Sequence, residues 1–177
     1  MRVLLRPFMI YSFLNQELQV RVVLTPNGSI IQRRKSESDS WESLDSAARK
    51  QPILNSDILY EDLGVEFLTW YRVEPVGLDS IKTLEAWTYE AAPNDDSAYA
   101  KVRYWISSDY LSFLRVDAYN KDNKVIKRVE INGVEKVGDV YVVKEMMFST
   151  MIPGRELSKS KSYIYIQKAE VGSGIKK

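Results

Sequence analysis

Along most of the chain, runs rich in Val, Ile, Tyr, Phe and Trp lie between short clusters of Pro, Gly, Asn and Asp. The clusters are Pro26-Asn27-Gly28, Pro93-Asn94-Asp95-Asp96, Asn120-Lys121-Asp122-Asn123, Asn132-Gly133, Gly138-Asp139 and Pro153-Gly154. That alternation predicts antiparallel strands joined by hairpins. Strands are expected near 6–14, 17–24, 29–34, 81–91, 98–107, 111–120, 124–137, 140–150 and 157–169. One hairpin is well specified: Asn123 suits the left-handed position of a type I turn with a bulge, because Asn tolerates positive φ. Its register would set Tyr119 opposite Val125 and Asp117 opposite Lys127, a charge pair worth roughly a few tenths of a kcal/mol.

The strand pattern breaks only in the middle. Residues 36–50 are polar, with Trp41, Leu44 and Ala48 at helical spacing and Arg49 and Lys50 suited to a helix end. A short helix or a loop fits them. From Asp57 to Trp70, Leu59, Leu63, Phe67 and Trp70 recur at i, i+4, i+8 and i+11. This predicts a helix capped by Ser56 or Asp57, with Gly64 weakening its middle. No repeat, heptad series or low-complexity tract is visible. The expected class is mainly β, with helical segments packed on one side of an antiparallel sheet.

Several strands are apolar on both faces. In Lys101–Ser107, Val102, Tyr104 and Ile106 share one face and Trp105 takes the other. In Val140–Phe148, Val140, Val142, Met146 and Phe148 oppose Tyr141, Val143 and Met147, and Ile and Tyr alternate over Tyr163–Gln167. A sheet with one wet face should alternate apolar with polar. Two apolar faces call for a second layer, a curl into a barrel, or an apolar ligand. A filled sandwich core satisfies the pattern, and so does a curled sheet around an oily hollow. Met146, Met147 and Met151 suit either, as core fillers or as adaptable contacts.

Composition narrows the chemistry. The 177 residues are 45% hydrophobic and 28% charged, which is globular and suits one domain over 1–177. Lys+Arg is 25 and Asp+Glu is 24, a net +1 that argues against a dedicated nucleic-acid binder. Cys and His are both absent. That excludes thiolate nucleophiles, Cys-ligated metals, histidine acid–base chemistry and the Ser-His-Asp triad. Glu61-Asp62 and Asp95-Asp96 are adjacent pairs, and adjacent residues do not face each other as a dyad. Asn94, Asp95 and Asp96 lack calcium-loop spacing. Arg33-Arg34-Lys35 and Lys159/Lys161 read as solvated strand ends, and Gly172-Ser173-Gly174 opens no helix. No catalytic constellation, cofactor or metal site is expected. Arg6 and Pro7 interrupt the first apolar run, which is too short to span a membrane and lacks a signal-peptide cleavage site.

Some segments carry a resemblance. Ile53–Leu63 (with Tyr60-Glu61-Asp62-Leu63) followed by Phe67-Leu68-Thr69-Trp70 resembles the signature of bacterial outer membrane lipoprotein-sorting proteins, relatives of the LolA and LolB carriers. Ser97–Ile106, Phe113–Lys124 and Val137–Met146 resemble the following strands of that family in the same order. The likeness covers about 53–169. The chain departs from the family at Asn55, Leu59, Asn123 and Tyr141, and its first 50 residues lack a counterpart of the family's N-terminal helix and leading strand.

The resemblance implies an open, unclosed antiparallel β-barrel with short helices plugging its concave face. It also implies a non-enzymatic periplasmic protein that holds the acyl chains of lipoproteins or other lipids. On that reading Val102, Tyr104, Ile106, Leu114, Val116, Val142, Met146, Phe148, Ile164 and Ile166 would face the ligand, and Leu63, Phe67 and Trp70 would form the plug. Envelope proteins would be further partners, with transient membrane contact and no nucleic acid. The rival expectation is an interaction module with a filled core and no lipid, binding through a sheet edge or aromatic patch.

Overall fold

A computed structural model describes residues 8–13, 17–25, 28–94, 96–109, 112–137 and 140–167. Pro26-Asn27, Asp95, Gly138-Asp139, Gly172-Ser173-Gly174 and the outer ends of the strands expected at 6–14 and 157–169 lie outside these residues. The backbone groups into two compact units, Met1–Tyr71 with Pro93–Ala98, and Arg72–Ala92 with Tyr99–Lys177.

The first unit is built on a four-stranded antiparallel sheet in chain order: β1 (Phe8–Phe13), β2 (Leu18–Thr25), β3 (Gly28–Arg34) and β4 (Glu42–Ser43). Val20, Val22 and Ile31 are fully buried on one face of it, joined in the core by Leu44, Ile53, Ile58, Tyr60 and Leu63. The polar 36–50 segment yields two elements. One is the short strand β4. The other is helix α1 (Ser46–Arg49), whose first turn is capped by Asp45, with Oδ1 accepting from the Ala48 N–H at 2.8 Å. Trp41 joins no helical face; the guanidinium groups of Arg21 and Arg34 cover its ring at 4.5 and 4.4 Å.

The helix expected over Asp57–Trp70 is instead broken into short 3-10 turns at Glu61–Gly64 and Glu66–Leu68, after another at Ile53–Asn55. Val65 stands in the left-handed region at φ 43°, which no continuous helix permits. Leu59 bridges Pro52, and its N–H donates to Asp62 Oδ2 at 2.7 Å. Gly64 is placed by close approach, because a Cβ there would meet Ser29 Oγ at 2.7 Å and Ile31 Cδ1 at 3.3 Å. The apolar spacing therefore marks contact with the sheet of this unit rather than a helix.

The second unit is one seven-stranded antiparallel meander: β5 (Arg72–Ile81), β6 (Leu84–Ala92), β7 (Lys101–Ser107), β8 (Phe113–Tyr119), β9 (Val125–Val137), β10 (Val140–Met151) and β11 (Ser158–Tyr165). Each strand pairs with its chain neighbours, and β5 and β11 are edges, so the sheet is not closed into a barrel.

Sequence patterning did not predict β5. Pro75 and Gly77 argue against a strand, and the two-residue turn Lys82-Thr83 carries no turn residue. The strand forms because its register shifts between Pro75 and Gly77, where Gly77 takes φ 147°, and because an edge position tolerates a missing N–H. Lys82 itself supplies the positive φ of the turn, at 58°.

At the other well-specified turn, Asn123 has φ 58° and Tyr119 faces Val125 as expected. A register shift between Ala118 and Tyr119 corrects the next pair: Asp117 faces Arg128, and Lys127 faces Ala118.

Candidate ligand-binding face

Alternation carried across the paired residues of the seven-stranded sheet sorts its two faces. One face is largely apolar, with Lys127, Thr150, Ser160 and Ser162 toward one end of its β9–β11 part. It takes Val73, Pro75 and Leu78 from β5, then Trp87, Tyr89 and Ala91 from β6. Val102, Tyr104 and Ile106 follow from β7 and Phe113, Val116 and Ala118 from β8. Val129 and Ile131 of β9, Met146 and Phe148 of β10 and Ile164 of β11 complete it. Tyr104 is the hub of its aromatic part, stacked on Tyr89 at 5.5 Å and edge-on to Phe113 at 5.9 Å. Burial, with Tyr89 beside it, raises the pKa of the Tyr104 phenol.

Exposure grades across this face. Val102, Tyr104 and Phe148 are 2%, 4% and 1% exposed, whereas Val73, Leu78 and Trp87 at the β5 margin are 37%, 55% and 47% exposed. At one end of the face, Lys127 is buried opposite Ala118 and Thr150, with its ammonium 5.7 Å from the Tyr99 ring.

The other face is an ion-pair lattice. Glu90 accepts from Lys101 at 3.0 Å and from Arg103 Nε at 2.9 Å. Burial works against its charge, but the Arg103 and Lys101 contacts outweigh that and hold Glu90 below the usual carboxylate range. Asp117, 2% exposed, accepts from Arg115 Nε at 2.8 Å and from both Nε and Nη2 of Arg128, at 2.8 and 3.0 Å. Burial pushes the Asp117 carboxyl up to about 6 against the pull of Arg115, so at neutral pH it is the anion that both arginines hold. Trp105 also lies on this face. Its Nε1 donates to Asp79 at 2.9 Å, and Arg115 covers its ring at 4.9 Å. The second apolar face expected from Trp105 is thus covered by side chains of its own sheet.

Of the residues expected at the ligand, Val102, Tyr104, Ile106, Val116, Met146, Phe148 and Ile164 share the apolar face. Leu114 alternates with Val116 and Ala118 along β8 and is the extra residue of a bulge, because Trp105 faces Arg115 and Ile106 faces Phe113, which adds Phe113 to the face. Val142 faces Glu135, and two register shifts separate it from Met146, so alternation does not carry between them. Ile166 follows β11 and donates its N–H to Lys144 O at 2.9 Å. Leu63, Phe67 and Trp70 belong to the first unit. Leu63 is buried in that unit's core, Phe67 is half-buried, and Trp70 lines a polar pocket. The sequence reading missed Phe113, Tyr89 and Lys127 on the apolar face. Tyr89 was within reach of strict alternation, whereas Phe113 depended on the bulge at Leu114 and Lys127 on the one at Ala118.

The polar pocket of the first unit has a volume of about 270 Å³ and is lined by Ser29, Ser46, Arg49, Glu61, Glu66, Trp70 and Asp96, among others. Its charges are paired with one another, while the buried Nε of Arg49 makes no hydrogen bond among the described residues. Glu66 pairs with Arg49 and accepts from Ser29 Oγ at 2.6 Å. Glu61 accepts from the Ser97 hydroxyl and from the Ala98 N–H, and Asp96 pairs with Lys50. Glu61 of Tyr60-Glu61-Asp62 is therefore an anchor for residues 97–98, and its neighbour Asp62 ties down Leu59. Among the described residues no cluster of His, Cys, Asp and Glu suits a metal ion, and no helix is long and apolar enough to cross a membrane.

Comparison with known proteins agrees with this architecture. Residues 36–177 match the model of a family described as "Uncharacterized protein". No curated protein matches the sequence. A DUF1329 family protein from Desulfovibrio piger is similar with a TM-score of 0.66 at 16% identity, over 81% of this chain and 63% of that one. This chain thus spans less than two thirds of that protein. An outer membrane lipoprotein-sorting protein domain from Vibrio parahaemolyticus gives a TM-score of 0.60 at 12% identity, over 92% of this chain and 77% of that one. A LolA superfamily protein from Nitrosomonas europaea gives 0.58 at 14% identity, over 92% and 83%. At such identities the likeness is one of fold, and the fold is LolA-like: mainly β, with antiparallel sheets left open and few short helices.

Proposed function

The chain belongs to the family whose model spans residues 36–177, and with its LolA-like fold as premise we propose that it is a non-enzymatic lipid- or lipoprotein-binding protein of the bacterial periplasm. Acyl chains would lie against the apolar face of the seven-stranded sheet, on Val102, Tyr104, Ile106, Val116, Met146, Phe148 and Ile164. Leu114, Val142, Ile166, Leu63, Phe67 and Trp70 remain part of the proposed site, with Phe113 and Tyr89 added to it. The observation that carries this reading is the asymmetry of the sheet: one face is largely apolar from β5 to β11, and the other is organised around the ion pairs of Glu90 and Asp117. Burying acyl chain is favourable by about 0.8 kcal/mol per CH₂. Such a site needs apolar area and no reacting group, and release needs only a partner or membrane that offers a better apolar surface. Envelope proteins that donate or accept lipid are the partners this implies.

Native mass spectrometry of protein purified without detergent tests the proposal. Retained phospholipid or acylated peptide is the expected result, together with enhancement of a hydrophobic fluorescent dye that added fatty acid reverses. A protein with no retained lipid and no dye response refutes it. The deep burial of Val102, Tyr104 and Phe148 favours a second reading, an interaction module whose core is filled by its own side chains. That module would bind neither probe and would co-purify with a protein instead.

A further inference from the structure

The last strand carries chemistry that an acyl-chain site does not use. Lys159 sits at a register shift, since Ser158 faces Met151 and Ser160 faces Thr150. Beyond it Lys161, Tyr163 and Tyr165 alternate onto the polar side of the sheet, opposite Ser149, Met147 and Glu145. Both lysines are exposed, and so are the tyrosines, by 46% and 63%. The two rings stack at 5.9 Å and 15°, forming a single amphipathic plate. Leu157, in the turn before the strand, is 59% exposed.

The cations here differ from those further into the sheet. Lys101, Arg103, Arg115 and Arg128 are all bound to carboxylates of the lattice. Among the described residues, Lys159 and Lys161 make no ion pair and no side-chain hydrogen bond. Of the neighbouring carboxylates, Glu145 faces Tyr165 and accepts from Asn132 Nδ2 at 3.1 Å, and Glu156 pairs with Arg128. The polar face is therefore ion-paired in its interior, and along the β11 edge it presents two lysines and two tyrosines with the one carboxylate of Glu145 opposite Tyr165.

We propose that this edge docks the protein on an anionic lipid bilayer. Tyrosine rings settle at the boundary between headgroups and acyl chains, with the hydroxyl toward water. Lysine stems lie along the apolar surface while the ammonium reaches phosphate. Two lysines with no ion pair among the described residues, beside two exposed tyrosines and an exposed leucine, supply both attractions on one margin. A nucleic acid fits less well, because a net charge of +1 offers little to a polyphosphate and the two tyrosines already stack on each other. The docking does not require that the protein carry acyl chains, so its test is independent of lipid retention.

The test is sedimentation with sucrose-loaded vesicles of phosphatidylcholine, with and without phosphatidylglycerol. The full chain is expected to bind only the mixed vesicles and to release as salt shortens the electrostatic reach. Replacing both Lys159→Gln and Lys161→Gln should weaken binding by roughly 30-fold. Tyr163→Ser with Tyr165→Ser should weaken the part that survives at high salt, and Arg33→Gln with Lys35→Gln should change nothing. Hydrogen exchange of the unmodified protein on mixed vesicles should add protection over 157–165, a readout that does not depend on any variant folding. The proposal is overturned by equal binding to both vesicle types, by lysine variants that bind like the parent, or by protection that falls elsewhere. Binding to single-stranded oligonucleotide with none to vesicles overturns it as well.

Discussion

The two faces of the seven-stranded sheet use the same backbone and opposite means of cohesion. On one, Val102, Tyr104, Val116 and Phe148 gain by leaving water, an attraction with little directional demand. On the other, Glu90, Asp117 and their arginines must meet atom to atom, because a charge removed from water without a partner is costly. The apolar face therefore makes few directional demands on what it contacts, whereas the charged face holds its partners in defined directions. Trp105 illustrates the division: it is as hydrophobic as Tyr104, yet it is held by Asp79 and Arg115 in defined directions.

Substitutions on each face break or sharpen this contrast. Phe148→Ala should cost about 3–5 kcal/mol, the transfer term plus a cavity, read as a lower urea midpoint. A loss below about 1 kcal/mol would mean that the face is loosely packed. Asp117→Ala should cost about 3 kcal/mol, because Arg115 and Arg128 lose their shared anion. The same measurement checks it, and Asp117→Asn should recover part of the loss through its remaining acceptor. Leu78→Ser, at the exposed margin of the apolar face, should move stability by no more than roughly 0.5 kcal/mol while lowering dye or lipid retention. Unchanged retention would remove the margin from the binding surface.

The smallest effect expected is one of pH. The Trp105 N–H, and after it the Ser80 backbone N–H, hold the Asp79 carboxyl below its ordinary value. Its contribution is therefore present above the unfolded-state pKa and lost as pH falls through the lower folded value. Urea midpoints of the parent and of Asp79→Asn should differ at neutral pH and converge on acidification below about pH 4.

Most of the large sheet was legible because its strands obey a period of two and its hairpins carry Asn or Gly. Val102, Tyr104, Ile106 and Phe148 fall on one face from alternation alone. The failures are local and physical. β5 was hidden because Pro75 and Gly77 are exclusions inside a sheet but acceptable at an edge with a bulge, and Lys82 makes its turn without the usual residue. A single inserted residue set Phe113 rather than Leu114 opposite Ile106, and another exchanged Lys127 for Arg128 opposite Asp117. The segment 57–70 has helical spacing, but Val65 in the left-handed region and Gly64 pressed against Ser29 show that packing, not propensity, set its path. Arg49, Glu61 and Ser97 meet through tertiary contact, and no spacing along the chain announces that.

An unclosed sheet has two ends at which a foreign strand could add, and both ends are blunted. Pro75 removes a donor from β5, and the bulge at Gly77 breaks the even spacing that a templated neighbour would need. On β11 the irregularity at Lys159 and the charge of Lys161 do the same. Growth by strand addition, the route to fibrils, meets an interruption at either side. Pro75→Val together with Lys159→Val should therefore raise the tendency of the protein to aggregate, read by light scattering.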